Sequence, residues 1–204
     1  MNEFLTVVVL HLFAVMSPGP DFVLITRQSI RHGRIAALWT AGGIGFGILF
    51  HSFLAVTGIL FLLASDEFYL LILKLICSSY LLYLGIGSIF RPSNFNIQKD
   101  AVSKWSNVGG FSAGLLTNIT NIKALLFFIT LFGIVLNDQT RNSFIFYGFY
   151  MAIATFIWFS CVSYIFTSDI FKNKFIKFFT FFEKILGITL VIIALQIIGS
   201  EYIK

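Results

Sequence analysis

Charge is what this sequence lacks most. Asp, Glu, Lys and Arg together make up 11% of its 204 residues, less than half the roughly 25% of a soluble domain. Hydrophobic residues supply 58%, and the mean hydropathy is +0.92. No single globular core of this length hides so much apolar surface, so lipid must cover much of it. Cysteine is nearly absent: Cys77 and Cys161 each stand alone in an apolar segment. With no CxxC and no metal-ligand spacing, a disulfide framework is excluded, and both thiols read as small core hydrophobes. Proline is scarce too, and two of the three prolines flank Gly19. The sequence contains no HExxH, GxSxG, P-loop or GxGxxG. An enzyme is therefore not expected, nor a cofactor, nor an ATP-driven pump unless another subunit supplies the ATPase. Met1-Asn2-Glu3 lacks the basic start of a secretory signal, and no small-residue cleavage pattern follows, so the first apolar segment is expected to stay as a helix.

What remains is long apolar runs. A span needs about 20 largely apolar residues, and six candidates cover roughly 4–25, 38–63, 68–90, 110–136, 144–167 and 185–200. The net charge of +5 does not point to nucleic acid, because the basic residues fall in short clusters between these runs. Ten of them lie in alternate connections: Arg27, Arg31 and Arg34; Arg91, Lys99 and Lys104; Lys172, Lys174, Lys177 and Lys184. The other side holds Arg141 and Lys204, plus Lys74 just inside the third segment, and the acidic Asp66-Glu67 link. Positive residues mark the cytoplasmic side, so both termini are expected outside the cytoplasm. The mixture of lysines and aromatics at 170–182 reads as an interfacial helix leading into the sixth segment.

The one long polar stretch, 91–107, divides the chain into a first three-helix unit (1–90), a cytoplasmic linker (91–109) and a second unit (110–204). A unit of three spans begins on one side and ends on the other, so a second copy enters upside down. The fold class expected is therefore an all-α membrane protein of six transmembrane helices, built as two inverted repeats.

The halves share a second feature. The first segment is interrupted by Ser17-Pro18-Gly19-Pro20-Asp21, and the fourth by Thr117-Asn118-Ile119-Thr120-Asn121-Ile122-Lys123. Proline removes a backbone donor and glycine relaxes the chain, and broken backbone at membrane depth is tolerated only against protein or a watery cavity. Matching interruptions in two halves point to a binding site rather than a structural kink. Laying Pro20 over Ile122 makes Asp21 and Lys123 pseudo-equivalent. Such charges either pair near the midplane or each meet one end of a zwitterion. Asp21 also suits a helix N-cap, and Lys123 also suits snorkelling. The resuming half-helices offer free N–H groups and a positive dipole end, which attract a carboxylate. An amino acid is therefore expected rather than a cation, and hard metals would want more carboxylates than Asp21 alone.

Asn118 and Asn121 suit either the broken backbone or a substrate. His11 and His51 sit in spans, where a lone histidine is more often a core residue than a relay. His51 gains weight from Gly43, Gly45 and Gly47, which allow close helix approach and offer a face for pairing with a second copy. Lys74 and Tyr80 suit interface anchoring or the pathway equally.

These stretches are also where the chain resembles the LysE/RhtB amino-acid exporters. Ser17 to Asp21 is similar to that family's Pro-Gly-Pro signature, and Arg31-His32-Gly33-Arg34 to the basic-glycine turn that follows it. Gly43 through His51 to Gly58 resembles its glycine-rich second helix, and Tyr80 to Gly85 its third-helix motif. Leu116 to Lys123 resembles its fourth-helix Asn-Pro-Lys, with Ile122 in place of the proline, and Lys184 to Gly187 resembles the start of its last helix. Phe132-Gly133-Ile134-Val135 departs from its Phe-Pro-Gln-Phe pattern. The resemblance implies a bacterial inner-membrane protein that exports amino acids or derivatives by proton exchange. Pro18, Gly19, Pro20, Asp21, His51, Asn118, Asn121 and Lys123 are then the substrate-binding or coupling residues. The competing readings are an exporter of another metabolite or of metal ions, and a membrane thiol–disulfide electron carrier. The last needs one cysteine in each of segments 1 and 4, and Cys77 and Cys161 fall in segments 3 and 5.

Overall fold

The computed structural model describes residues 3–63, 67–90, 107–131, 141–168, 181, 184–185, 187–192, 194–196 and 198–199. Every regular element among them is helical: α1 (Glu3–Met16), α2 (Pro20–Leu63), α3 (Glu67–Phe90), α4 (Asn107–Ile119), α5 (Ile122–Thr130) and α6 (Arg141–Phe166). An apolar helix at Gly187–Gln196 follows, here α7. Two stretches, Pro20–Gly58 and Ile145–Phe166, are long and apolar enough to cross a membrane, and the bent pair α4–α5 makes a third. Aromatic side chains such as Phe46, Phe53 and Phe149 stand more than half exposed on the outer faces. Large exposed apolar faces of this kind fit a membrane protein.

The end of the expected first segment (20–25) and all of the second (38–63) fall in α2, which turns at Gly33 (φ 81°, ψ 179°). This is the left-handed region, where glycine avoids the clash a Cβ would make. Phe22 and Ile25 before the turn share a buried cluster with Ala41 and Ile44 after it, so the two arms of α2 lie against each other.

The second arm of α2 forms the centre of the fold, packed between α4 and α6. Its contact with α4 is nearly backbone to backbone. A Cβ added to Gly110 would stand 2.8 Å from the carbonyl of Ala36. Gly43 lies against Phe111, Gly45 against Ala152 and Gly47 against Asn118. The expectation that these three glycines offer a face to a second copy is thereby corrected: helices of the same chain occupy them. α3 and α7 meet in the same way, with Gly85 against the carbonyl of Gly187 and Leu81, Leu190 and Ala194 buried together.

The turn at Gly33, the start of α4 and the end of α6 lie together at one end. Arg34, just after the turn, lies 4.2 Å from the ring centroid of Tyr164 and donates to the Thr167 hydroxyl at 3.4 Å, at the end of α6. Gly110, near the start of α4, adjoins Ala36. At the other end Phe4 packs on Phe146 and Tyr150.

Cys161 is exposed, so its reading as a core hydrophobe is corrected; the side chains of Cys77 and Lys74 lie outside the described residues. So do the Asp66 link, the polar stretch 91–106 and all of 170–182 except Phe181. α4 begins at Asn107, three residues inside the expected linker.

Candidate functional site

Both expected interruptions are present, and they are built by different chemistry. α1 ends at Met16, and Gly19 then opens α2 by accepting from the Val23 N–H at 3.0 Å. Pro20 is the first helical residue, the position where its missing N–H has no intrahelical partner to lose. In the second break α4 ends at Ile119 and α5 begins at Ile122, bent by 55°. Here no proline acts. Asn121 caps α5: its side-chain oxygen accepts from the Lys123 N–H at 3.0 Å, while its carbonyl accepts from Leu125 at 3.1 Å. Asn121 holds an extended backbone (φ −78°, ψ 98°) that cannot continue α4. The loss of proline at 122 therefore does not remove the break. Gly19 and Asn121, Pro20 and Ile122, and Asp21 and Lys123 occupy matching positions on the two resuming helices.

Each break completes the other. Asp21, at the N-terminus of α2, accepts on Oδ2 from Asn118 Nδ2 and from Asn121 Nδ2, both at 2.9 Å. Lys123, at the N-terminus of α5, reaches back so that Nζ donates to the Ser17 carbonyl past the end of α1. A cation is disfavoured at a helix N-terminus and favoured at a C-terminus, so this placement relieves Lys123. The lysine chain passes over Gly19, where an added Cβ would lie 3.2 Å from its Cδ. No larger residue fits there without displacing it.

His51 stands behind the second break. Its Nε2 is 2.7 Å from the carbonyl of Asn118, and its ring stacks on Phe128. The Asn118 carbonyl also accepts from the Asn121 N–H at 2.9 Å. His51 thus fixes the end of α4 rather than bordering open space.

A cavity of about 50 Å³ lies between the breaks. Ser17, Gly19, Asp21, Asn121 and Lys123 border one part of it, and His11 and Thr155 another, with Phe127, Phe128 and Phe159 among the apolar walls. At roughly 10–15 Å³ per water it holds about three to five waters. A free amino acid is larger than this water-sized space. Asp21 Oδ1 and the Ser17 hydroxyl are buried with no hydrogen-bond partner among the described residues. Buried polar atoms normally find one, so these are the atoms a guest would satisfy.

Of the eight residues expected at the site, Gly19, Asp21, Asn121 and Lys123 border the cavity. Asn118 and His51 hold it from behind, while Pro18 and Pro20 shape the first break. His11 belongs at the cavity instead of in the plain core: it is 3.1 Å through Nε2 from the Thr155 hydroxyl. Thr155 was not singled out by the sequence, where it is an isolated polar residue in an apolar helix 144 residues away from its partner. Among the described residues no group of three or more His, Cys, Asp or Glu side chains is placed to hold a metal.

The profile of the family described as LysE type translocator matches residues 12–201. The uncharacterized membrane protein YrhP of Bacillus subtilis is 28% identical, over 94% of this chain and 96% of its own length. The threonine efflux protein of Escherichia coli K12 is 28% identical, over 80% of this chain and 81% of its own. That of Salmonella typhimurium is 25% identical over 81% of this chain and 82% of its own. No solved structure matches the chain.

Proposed function

Because this chain belongs to the LysE type translocator family, we propose that it is a secondary transporter that exports amino acids or close derivatives across the bacterial inner membrane in exchange for protons. One observation carries the proposal: a small cavity bordered by an acidic and a basic residue, each at the first turn of a broken helix. A zwitterion carries the complementary pair of charges. Its ammonium group suits the unclaimed Oδ1 of Asp21, and its carboxylate suits Lys123 and the amino end of α5. A proton and a substrate ammonium compete for the same carboxylate oxygen, which is the minimum an exchange mechanism needs. The threonine efflux proteins among the relatives favour a small amino acid.

The architecture proposed is six spans in two inverted repeats. Pairwise packing supports it: each helix of the first half meets its counterpart in the second, the first break with the second, α2 with α6 and α3 with α7. The proposed orientation puts the basic end in the cytoplasm and both termini outside. The gathering of Arg34, Thr167 and the start of α4 at one end supports that grouping. Reporter fusions in the 91–106 stretch should report the cytoplasm, and an external signal overturns the orientation.

The function is tested by efflux of labelled amino acids from loaded cells, with and without the protein. Faster efflux of one class is expected, lost in Asp21→Asn and on collapse of the proton gradient, with the variant inserted normally. An amide keeps one oxygen to accept from Asn118 and Asn121, so this substitution removes the proton site with the least disturbance to the breaks. Asp21→Asn exporting normally at every pH would remove Asp21 from the mechanism.

A further inference from the structure

The cavity has two polar ends, and the exporter reading uses only one. On α1, His11 precedes Ser17 by six residues, roughly 9 Å along the axis at 1.5 Å per residue. Between them the cavity is walled by Ala14 and Val15, with Phe127 and Phe128 from α5. At the far end His11 (2% exposed) and Thr155 (1% exposed) form a bonded pair, 3.1 Å from Nε2 to Oγ1. His11 Nδ1 is buried with no hydrogen-bond partner among the described residues. Phe127 and Tyr150 pack around the imidazole, with ring centroids 6.2 and 6.0 Å away.

The donors and acceptors of this pair can be counted. A neutral imidazole has one donor and one acceptor, and a hydroxyl has one donor and acceptor capacity. The bond between them uses one of each, whichever tautomer is present. One donor and at least one acceptor are left over, in a wall otherwise made of rings and methyl groups. An aliphatic side chain arriving there leaves both unmatched at the usual desolvation penalty. A hydroxyl or carboxamide, which both donates and accepts, matches them.

We infer that the His11–Thr155 pair is the specificity-determining end of the cavity, selecting amino acids whose side chain ends in a neutral hydroxyl or carboxamide over aliphatic ones of the same shape. The inference rests on the exporter reading, with the zwitterionic head held at Asp21 and Lys123 and the side chain directed to the other end. A site built to bond a polar group rejects the analogue without it far more strongly than an apolar pocket rejects a small change in size.

The test uses the full-length protein in loaded proteoliposomes and two isosteric substrate pairs, threonine against valine and asparagine against leucine. The wild type is expected to prefer the polar member of at least one pair. Thr155→Val keeps the volume and removes the hydroxyl; it should lower that preference by about tenfold or more. Thr155→Ser restores the hydroxyl and should restore the preference, which a purely structural role for Thr155 does not predict. The inference is overturned if the wild type exports both members of each pair equally. It is equally overturned if Thr155→Val changes both members by the same factor, or neither. A wild-type protein that exports no amino acid at all defeats the exporter reading itself, and this inference with it.

Discussion

Gly47→Ala should disable export while sparing the fold, and the reason lies in one contact. Gly47, on the second arm of α2, faces the side chain of Asn118. A Cβ added there would lie 2.5 Å from Asn118 Oδ1, 2.9 Å from its Cβ and 3.0 Å from its Cγ. None of these is a tolerable separation, so Asn118 or the helix must move by roughly half an ångström to one ångström. Asn118 is not free to rotate away. It is fully buried, its Nδ2 donates to Asp21, and its carbonyl bonds His51.

A shift of about 1 Å takes the 2.9 Å bond to Asp21 past the range where such bonds hold. A hydrogen bond to an ionised group contributes about 1.5–3 kcal/mol. At 1.4 kcal/mol per tenfold, the arranged site becomes roughly 10- to 100-fold less populated. Export under substrate loading should fall by about that factor. The control is Gly58→Ala on the same arm, where nothing lies within 4 Å of the added atom. It should export normally. The assay is initial efflux rate normalised to protein abundance in the membrane. Wild-type export by Gly47→Ala at wild-type abundance would refute the claim that Asn118 must hold Asp21. An equal fall in both variants would refute the claim that this particular contact matters.

Two further substitutions address the breaks. Ile122→Pro should be tolerated and should raise thermal stability by about 0.4–1 kcal/mol, because residue 122 is the first of α5 and Asn121 already holds the extended backbone that precedes proline; a lower unfolding temperature in detergent would count against the cap geometry. Lys123→Ala should raise the substrate concentration for half-maximal export and leave abundance unchanged. Reduced abundance with unaltered half-saturation would make Lys123 a structural tether to Ser17 only.

How much of this the residues announce depends on how local the physics is. Pro18-Gly19-Pro20 breaks a helix wherever it stands, because the missing donors and the absent Cβ act on neighbouring turns. Asp21 and Lys123 were legible for a related reason: charge at membrane depth is costly and needs a purpose. The second break was legible only as polarity. That a side-chain cap from Asn121, rather than a proline, produces the 55° bend depends on where its amide points, which no spacing rule gives. The glycines of α2 were legible as permission for close approach, yet not as to which neighbour approaches. His11 shows the limit most clearly. Alone in an apolar helix it is indistinguishable from a core histidine, and its partner Thr155 is equally plain in α6. Only the packing of α1 against α6 makes them a polar pair on a cavity wall.

The crossing of the two breaks explains why they come as a pair. A half-helix starting inside a membrane protein exposes N–H groups, and one ending there exposes carbonyls; lipid satisfies neither. In this chain each interruption meets the other's need. Asn118 and Asn121, at the second break, donate to the acid of the first, and Lys123 of the second donates to the Ser17 carbonyl of the first. The second break caps its own helix through Asn121, but Asp21 and the Ser17 carbonyl take their partners from across the site, so the site belongs to both breaks at once. Any movement of one half against the other must exchange these bonds for others, with water, a proton or a bound molecule as the replacement. A free amino acid brings a donor for Asp21 and an acceptor for the amino end of α5 in one molecule. On the proposed exporter reading, it would take over the bonds that a parting of the two breaks releases, which would tie occupancy of the cavity to that movement.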